Sequence, residues 1–322
     1  MPKNFLHDTP RKAIRAATVA AGEQRALFQG DCLELLAHVD DESVDLVISS
    51  PPYCIGKEYE PKSALHDFSS LHRQLLPELV RVLKPGGSLC WQVGSHVKNG
   101  VVTPLDYLVF AEMQRFDSMH MRNRVVWTFG HGLHCSNRFS GRHEVIMWYT
   151  KGHDYQFNLD AVRIPQKYPG KTSSRGENKG KPSGHPNGKN PGDVWNIPNV
   201  KANHVEKTAH PCQFPVAIPQ IMVRALTAPS SLVFDPFTGS GTTAVACELE
   251  KRRFLGAEID PKYCAIAKER MTEAADDAPR VRPWNKEIFV PNPQAKVARL
   301  PENFAQAQLA TMKELFGLST AP

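Results

Sequence analysis

One short stretch combines a hydroxyl group, two prolines and an aromatic ring directly after an apolar run. The apolar run covers residues 44–48, and the stretch that follows it is Ser49-Ser50-Pro51-Pro52-Tyr53. Two successive prolines remove two backbone donors and fix two φ angles, and the residue before them is disfavoured in the helical region. We therefore predict a buried strand that ends in a rigid corner carrying Ser50 and Tyr53. Taken alone, the same pattern is also compatible with a surface turn.

A second stretch has the pattern of a strand, a glycine-containing turn and the start of a helix. It is VFDPFTGSGTT, residues 233–243. Glycines let the backbone approach a ligand, and the free N–H groups of a helix start bind polar or anionic atoms. Glu258 ends the next predicted strand, where a carboxylate can accept hydrogen bonds from ribose hydroxyls. An ordinary tight turn is the alternative.

Two other nucleotide-binding motifs fit this turn less well. A phosphate-binding loop requires a Lys after its last glycine, and none follows Gly241. Ala244 preserves the spacing of a dinucleotide-binding loop, but Asp-Pro-Phe precedes the glycines where such a loop normally has apolar residues. The pattern therefore excludes the first motif and disfavours the second.

Cysteine and histidine usage argues against disulfides and metal. The seven cysteines are scattered without a C-x-x-C pair, which indicates a reducing compartment. His131, His134, Cys135 and His143 lie near one another in sequence, but their spacing matches no zinc finger or ribbon. We interpret them as polar loop residues near nucleic acid and predict no metal.

Alternating apolar patterns predict the elements that position these motifs. Strands are predicted at residues 26–28, 44–49, 88–94, 124–129, 144–150, 231–236 and 254–260, and helices at 32–39, 68–83, 104–116, 214–226, 242–250 and 261–271. Alternation of strands and helices predicts an α/β fold with a parallel, doubly wound sheet.

Composition changes at both ends and in the middle of the 322-residue chain. Residues 1–24 are basic and mixed, which suggests a disordered arm rather than a secretory signal. Residues 165–193 are rich in Gly, Pro, Asn and Lys, and this basic loop suits phosphate contacts, although a solvated linker is the alternative. The chain beyond 275 is Pro-rich and ends in a possible amphipathic helix at 302–318. The net charge of +6 permits a polyanionic partner, and no apolar run is long enough to span a membrane.

Together, these segments resemble the DNA amino-methyltransferases that use S-adenosylmethionine. SSPPY resembles the family's catalytic [DNS]-P-P-[YFW] tetrapeptide, and FDPFTGSGTT resembles its methionine-binding loop. LVRVLKPGG followed by SLCWQVG resembles the next helix and strand of the family, and GDCLELL precedes the catalytic strand as expected. HPCQFP, residues 210–215, resembles the family's H-P-x-Q-K-P segment, with Phe214 where Lys is common.

The order of the motifs resembles that of the permuted beta group, because the catalytic motif precedes the cofactor loop. The resemblance implies a Rossmann-like methyltransferase fold with a doubly wound, mostly parallel sheet of seven strands and an inserted target-recognition region. The two motif loops would lie at the carboxyl ends of neighbouring strands. The implied organisation is an arm (1–24), a catalytic half (25–151), the target-recognition insertion (152–209), a cofactor-binding half (210–275) and an extension (276–322).

The implied cofactor is S-adenosyl-L-methionine. Asp31 would bind its adenine amino group and Glu258 its ribose, while Phe237 would pack against it and Asp235 and Thr238 would hold its polar end. The full set of cofactor-binding residues implied by the resemblance is Asp31, His210, Phe214, Asp235, Pro236, Phe237, Thr238, Gly239, Ser240, Gly241 and Glu258.

The implied reaction is methylation of the exocyclic amino group of a base flipped out of DNA. Ser50 and the Pro51 carbonyl would accept the amino hydrogens, Pro52 would help to fix the corner, and Tyr53 would stack on the base. In this family, Ser before Pro-Pro mostly accompanies N4-methylation of cytosine and Asp mostly N6-methylation of adenine. We therefore favour cytosine, with adenine as the alternative.

The expected partner is double-stranded DNA, and a cognate restriction endonuclease is a further possible partner. The residues expected to contact DNA are Lys171, Arg175, Lys179 and Lys181 on phosphates and Asn137, Arg138 and Arg142 on bases, with exposed loop residues as the alternative for the last three. A catalytically inactive regulator and a protein-glutamine or RNA methyltransferase are disfavoured by the intact motifs, by Ser50 and by the permuted order. The expected location is the cytoplasm of a bacterium or phage-infected cell, as a monomer or dimer.

Overall fold

The computed structural model describes residues 5–18, 24–53, 65–130, 132, 134–166, 171–181, 183–185 and 187–286. The chain divides into two compact units, Met1–Lys286 and Glu287–Pro322. The second unit, with the helix predicted at 302–318, lies outside the described residues. None of the described helices combines the length and apolar content that crossing a bilayer requires.

The described part of the chain holds eleven strands and seven α helices. The strands are β1 (Leu6–His7), β2 (Arg25–Gln29), β3 (Val44–Ser49), β4 (Leu83–Val93), β5 (Ser95–Lys98), β6 (Val101–Pro104), β7 (Met119–Thr128), β8 (His143–Lys151), β9 (Val194–Asn196), β10 (Leu232–Asp235) and β11 (Arg253–Glu258). The helices are α1 (Pro10–Thr18), α2 (Cys32–Leu36), α3 (Leu65–Val82), α4 (Leu105–Met113), α5 (Ala217–Leu226), α6 (Thr242–Leu249) and α7 (Pro261–Ala275).

Nine of these strands form one sheet in the order β1-β2-β11-β10-β3-β4-β8-β7-β9. Only β8 runs antiparallel to its neighbours in this sheet. The predicted α/β fold with a mostly parallel sheet is therefore confirmed, but the strand number of seven is wrong for the described residues. The two additional strands, β1 and β9, are edge strands of two and three residues, too short to produce a recognisable alternating pattern.

Helices cover both faces of the sheet, as the doubly wound prediction requires. One core cluster combines residues of α1 to α4 with one face of the central strands, and the other combines residues of α5 to α7 with the opposite face. In β3, Val47 belongs to the first cluster, while Leu46 and Ile48 belong to the second. Successive side chains of a strand point to opposite faces, so a central strand buried on both faces is apolar throughout.

The prediction of a disordered arm at residues 1–24 is wrong for its described residues. Phe5 accepts a hydrogen bond from the Leu27 N–H, and β1 pairs in parallel with β2. Helix α1 then buries Ala13 and Ala17, which are four residues apart and therefore share one helical face. Because that apolar face consists of small side chains among basic residues, the composition of the segment did not indicate a helix.

Two connections that looked irregular in the sequence contain ordered structure. The hairpin β5–β6 turns at Asn99-Gly100, and both residues have positive φ, as a two-residue type I′ turn requires. In the insertion, Ser173 and Ser183 donate backbone hydrogen bonds to the carbonyls of Lys181 and Lys171. Residues 194–196 of the insertion join the sheet as β9 beside β7. The described insertion residues are therefore organised by their own backbone and by the sheet edge.

Candidate active site

Two loops from distant parts of the sequence meet at the carboxyl ends of two neighbouring strands of the sheet. Strands β3 and β10 are parallel neighbours, with Val47 opposite Phe234, and they lead into residues 50–53 and 236–241 respectively. The Ser49 hydroxyl donates a hydrogen bond of 2.5 Å to Oδ1 of Asp235, across a separation of 186 residues. The predicted placement of the two motifs on neighbouring strands is therefore confirmed.

Asp235 lies inside the protein at the junction of these loops. Its side chain is 1% exposed, and it accepts hydrogen bonds from the Ser49 hydroxyl and from the Phe237 N–H. Burial raises the pKa of Asp235 to about 6, although these polar contacts act in the opposite direction. The carboxylate therefore connects the end of β3 to the start of the glycine loop.

The Ser-Pro-Pro-Tyr corner is held by polar partners on two other strands. Pro51 is buried, and Ser50, Pro52 and Tyr53 are partly buried. The Tyr53 hydroxyl accepts a hydrogen bond of 2.9 Å from Gln92 and donates one of 3.3 Å to Glu144. Burial, followed by the charge of Glu144, raises the pKa of Tyr53 well above its ordinary value. The phenol therefore stays protonated at neutral pH.

Sequence reasoning missed Gln92 and Glu144. Gln92 lies near the carboxyl end of β4 and Glu144 near the amino end of β8, and the two side chains are hydrogen-bonded to each other. Because β8 is antiparallel to its neighbours, its amino end lies at the same end of the sheet as the carboxyl ends of β3, β4 and β10. The only sequence signal was that each residue is polar in an otherwise apolar strand.

The glycine loop requires its glycines. Gly239 and Gly241 have φ values of +52° and +79°, in the left-handed region that side chains disfavour. A Cβ atom on Gly239 would lie 3.2 Å from Nε2 of His210, and one on Gly241 would lie 3.0 Å from Cα and Cβ of Ala267. Gly241 is also the N-cap of α6 and has no side chain to cap it. The first N–H groups of this helix therefore receive no side-chain cap from residue 241.

Glu258 ties the end of β11 to the glycine loop. Its Oε2 accepts from the Gly239 N–H at 2.8 Å, and its Oε1 accepts from the Asp260 N–H at 2.9 Å. Burial raises the pKa of Glu258, while these two hydrogen bonds lower it. A carboxylate oxygen has lone pairs beyond a single hydrogen bond, so both oxygens can still accept from a diol.

The remaining predicted cofactor residues surround this loop or lie beneath it. Asp31 is exposed and caps α2 by accepting from the Leu33 N–H at 2.7 Å, next to the end of β11. Pro236 is buried, and Phe214 packs against the second core cluster. The hydroxyl of Thr238 donates to the backbone carbonyl of Asp235 at 3.2 Å. The side chain of Thr238 therefore points inward and supports the loop.

Two aromatic contacts line the site. The His210 ring contacts Tyr263 edge-on at a centroid distance of 4.3 Å, and its Nδ1 accepts from the Cys212 N–H. Phe237 contacts the edge of buried Trp91 at 6.2 Å. His210 and Phe237, two of the predicted cofactor residues, therefore each have an aromatic neighbour.

A buried arginine behind the loop was also missed. Arg270 of α7 is 4% exposed and donates to the Ser240 carbonyl at 2.8 Å, to the Ser240 hydroxyl at 3.1 Å and to the Thr242 hydroxyl at 3.1 Å. Burial lowers its pKa to about 10, so the guanidinium remains charged at neutral pH. Ser240 therefore points toward Arg270, and Arg270 fixes the turn. An arginine in an amphipathic helix carries no sequence signal of such a role.

The predicted DNA contacts lie on two connections. The predicted base contacts lie between β7 and β8, at the same end of the sheet as residues 50–53; they are Asn137, Arg138 and Arg142. Asn137 is exposed, whereas Arg138 and Arg142 donate to the carbonyls of Phe139 and Gly141 at 3.2 Å and 2.8 Å. These two guanidinium groups are therefore partly engaged by nearby backbone.

The four predicted phosphate contacts belong to the ordered turn of the insertion. They are exposed, and within the described ranges none of them pairs with a carboxylate: Lys171, Arg175, Lys179 and Lys181. Across those ranges, no three His, Cys, Asp or Glu side chains group as metal ligands. His131, one of the residues weighed for a metal site, lies outside them.

Comparison with known proteins gives the context for this geometry. Residues 44–269 match the family model N6_N4_Mtase, described as DNA methylase. The chain is 43% identical to the type II methyltransferase M.BglII of Bacillus subtilis, over 78% of this chain and 70% of that protein. It is 37% identical to the type II methyltransferase M.ScaI of Streptomyces caespitosus, over 77% and 82%.

Two solved structures have the same fold. The PvuII DNA methyltransferase (cytosine-N4-specific) superposes with a TM-score of 0.60 at 22% identity, covering 79% of this chain and 92% of that one. The TTHA0409 protein of Thermus thermophilus, solved in complex with S-adenosyl-L-methionine, superposes with a TM-score of 0.54 at 24% identity, covering 77% and 95%. The family match extends from β3 through the glycine loop to α7, and the chain belongs to the N6_N4_Mtase family of DNA methylases.

Proposed function

We propose that this DNA methyltransferase transfers a methyl group from S-adenosylmethionine to the exocyclic N4 of a cytosine flipped out of a specific duplex site. The observation that carries the proposal is the junction of the two motif loops, joined by the hydrogen bond from Ser49 to Asp235. It brings residues 50–53, which would accept the amino hydrogens, next to residues 236–241, which would hold the cofactor. Methyl transfer requires this proximity, because the amino nitrogen must approach the methyl carbon in line.

The residues around the glycine loop fit S-adenosylmethionine. The left-handed backbone of Gly239 and Gly241 allows a tight turn without side chains, and the start of α6, which has no side-chain cap, would supply N–H groups for the polar end of the cofactor. Glu258 would accept from the ribose, Asp31 from the adenine amino group, and Phe237 would pack on the cofactor. When bound, the cofactor supplies an activated methyl group on a sulfonium sulfur, which is also the leaving group.

The chain's own contribution is to activate a weak nucleophile. The lone pair of an exocyclic amino group is delocalised into the ring, so the nitrogen attacks poorly. Acceptors directed at its hydrogens shift it toward a tetrahedral geometry and stabilise the positive charge that develops during transfer. The Ser50 hydroxyl and the Pro51 carbonyl would be those acceptors, and the two prolines fix the direction of that carbonyl before the base arrives. Tyr53 would stack on the flipped base.

The choice of base rests on Ser50. Ser before Pro-Pro mostly accompanies N4-methylation of cytosine in this family, which supports cytosine. N6-methylation of adenine is the alternative, since both amino groups need the same acceptors. The DNA adenine methyltransferase YhdJ of Escherichia coli, 28% identical to this chain over 79% of its length, keeps that alternative open.

Binding of the duplex would use the exposed basic turn of the insertion for phosphates and the β7–β8 connection for bases. Phosphate contacts position a protein on the duplex, and side chains in a groove recognise its sequence. The relatives M.BglII and M.ScaI are named type II methyltransferases, so we also propose a cognate restriction endonuclease as the functional partner.

The test is expression in a host that lacks DNA methylation, followed by modification-sensitive sequencing and nucleoside analysis. We expect N4-methylcytosine at one short recurring sequence. N6-methyladenine alone would refute the assignment of cytosine. Unmodified DNA, together with no transfer of labelled methyl groups to mixed-sequence duplexes by the purified protein, would refute the proposed function.

A further inference from the structure

The connection between β7 and β8 carries a phenylalanine whose ring lies almost entirely in solvent. Phe139 is 99% exposed, and it is the only exposed large apolar side chain among the described residues of this connection. A single exposed apolar side chain is common on protein surfaces, so its meaning depends on its position and its neighbours. One isolated ring is also far too small to form a stable contact between two proteins, which buries about 800 Å² on each partner.

Hydrogen bonds hold this ring on a closed turn. The N–H of Cys135 donates to the hydroxyl of Ser140 at 3.1 Å, which closes the chain over residues 136–139. At the base of the connection, the Phe129 N–H donates to the carbonyl of Arg142 at 3.0 Å, and the pairing of β7 with β8 begins directly below. The exposed ring is therefore carried by a turn that stands on a paired strand hairpin.

The turn lies close to the residues that would receive a flipped base. Glu144, the second residue of β8, accepts a hydrogen bond of 3.3 Å from the Tyr53 hydroxyl. Phe139 precedes Glu144 by five positions, so their Cα atoms are separated by at most about 18 Å, the length of five extended residues. A flipped base stays attached to its strand, so the gap that it leaves in the duplex lies close to the corner that receives it.

The charge around the ring suits a nucleic acid. Residues 134–143 contain two arginines and no acidic residue. Arg138 directly precedes the ring and donates to the Phe139 carbonyl at 3.2 Å, and Arg142 follows three positions later. Proteins that open or kink a duplex combine the same two features, an apolar side chain that enters the base stack and arginines beside it.

We propose that Phe139 inserts into the duplex next to the target base pair and fills the space that the flipped base leaves. The inference rests on the proposed function and holds for either target base. Flipping breaks the pairing and stacking of the target base and leaves its neighbours without a stacking partner. A phenyl ring offers these neighbours a face to stack on whatever their sequence, so it stabilises the duplex in its open state. Phe139 acts on the position of the base and does not touch the reacting atoms.

The experiment measures single-turnover methylation of the duplex site that sequencing of the expressed DNA identifies. It compares the wild-type chain with Phe139→Ala, Phe139→Trp and Phe110→Ala. Phe110 of α4 is 41% exposed, so its replacement is a matched control for the loss of an exposed phenyl ring elsewhere. Phe139→Ala should react about 5- to 100-fold more slowly, as expected for the loss of one stacked aromatic side chain. Phe139→Trp, which keeps a large ring, and Phe110→Ala should react at the wild-type rate.

A second duplex separates base flipping from other roles of the ring. In this duplex the target base faces an abasic position, so it has no pairing partner and leaves the stack at a lower cost. The rate of Phe139→Ala should therefore return to close to the wild-type rate on this duplex. A ring that only supported the turn, or only helped the protein to dock on DNA, would give the same loss on both duplexes.

Three results would overturn the inference while leaving the proposed function intact. They are a wild-type rate of Phe139→Ala on the paired duplex, an equal loss on both duplexes, and an equal loss in Phe110→Ala. A wild-type rate of Phe139→Ala combined with a smaller sedimentation coefficient would assign the ring to a contact with a second copy of the chain. If the wild-type protein methylates no DNA, the proposed function fails and this inference fails with it.

Discussion

Replacing Asp235 with Asn should change how the stability of the protein depends on pH. Burial raises the pKa of this carboxyl from 3.8 to about 6 in the folded protein. Between these values the folded state binds a proton more tightly than the unfolded chain does. The stabilisation from the neutral carboxyl is therefore complete below pH 3.8 and is lost as the pH rises through about 6.

The magnitude follows from the size of the shift. Each pKa unit corresponds to about 1.4 kcal/mol, so a shift of roughly two units removes about 3 kcal/mol from the free energy of unfolding by neutral pH. The amide introduced by Asp235→Asn does not titrate and avoids this loss. The free energy of unfolding of this variant, relative to wild type, should thus rise by about 2–2.5 kcal/mol between about pH 4 and about pH 7.5, because part of the effect is already lost at pH 4. Any constant cost of fitting the amide into the site cancels in this difference.

The assay is urea denaturation followed by tryptophan fluorescence at several pH values across that range. Asp117→Asn, at an exposed aspartate, controls for the loss of one negative charge. Ser49→Ala should cost about 1.5–3 kcal/mol at the alkaline end of the range and less at the acidic end, because a neutral carboxyl is a weaker acceptor. A difference between Asp235→Asn and wild type that stays constant across this pH range would refute the reasoning.

Three further predictions concern the loop and the DNA contacts. Gly241→Ala should destabilise the protein by about 2–5 kcal/mol in thermal denaturation, because the new Cβ would be strained in the left-handed region and would also press on Ala267. A loss below about 1 kcal/mol would contradict this prediction. Arg270→Lys should weaken S-adenosylmethionine binding about 10-fold, as measured by calorimetry, because the ammonium group of lysine cannot reproduce the guanidinium hydrogen bonds that hold Ser240 and Thr242. An unchanged affinity would contradict this prediction. Replacing the four basic residues predicted to contact phosphates by Ala should weaken DNA binding across sequences. If each of them contacts one phosphate, the slope of log K against log salt concentration should decrease by about 3–4. An unchanged slope would show that this turn does not contact DNA. That variant changes Lys171, Arg175, Lys179 and Lys181.

The sequence predicted well those features that local pattern determines. The strand at Val44–Ser49 was predicted with its correct bounds, since a central strand buried on both faces is a continuous apolar run. The neighbouring placement of the two motif loops followed from the family's motif order. The Asn99-Gly100 turn carried a sufficient signal for a hairpin that was not predicted, because the pair lies between Val97-Lys98 and Val101-Val102.

Features that depend on distant contacts could not be predicted in this way. Nothing near Arg270 in the sequence indicates that its guanidinium supports a turn thirty positions away. Glu144 acquires its partners only because β8 runs antiparallel, and strand direction leaves no trace in an apolar pattern. The arm at residues 1–24 was misjudged for a related reason, since a face made of Ala13 and Ala17 is apolar only once it is packed.

The antiparallel strand also has a consequence for how this enzyme can diverge. The connection between β7 and β8 carries Asn137, Arg138 and Arg142, and it is clamped at its base by the pairing of Thr128 with His143 and of Trp127 with Glu144. Residues can be inserted into or deleted from this connection above that clamp without moving Glu144, because the strand pair sets the position of the carboxylate. If this connection reads the DNA sequence as proposed, its length is thus free to change while the groups beside Tyr53 stay in place.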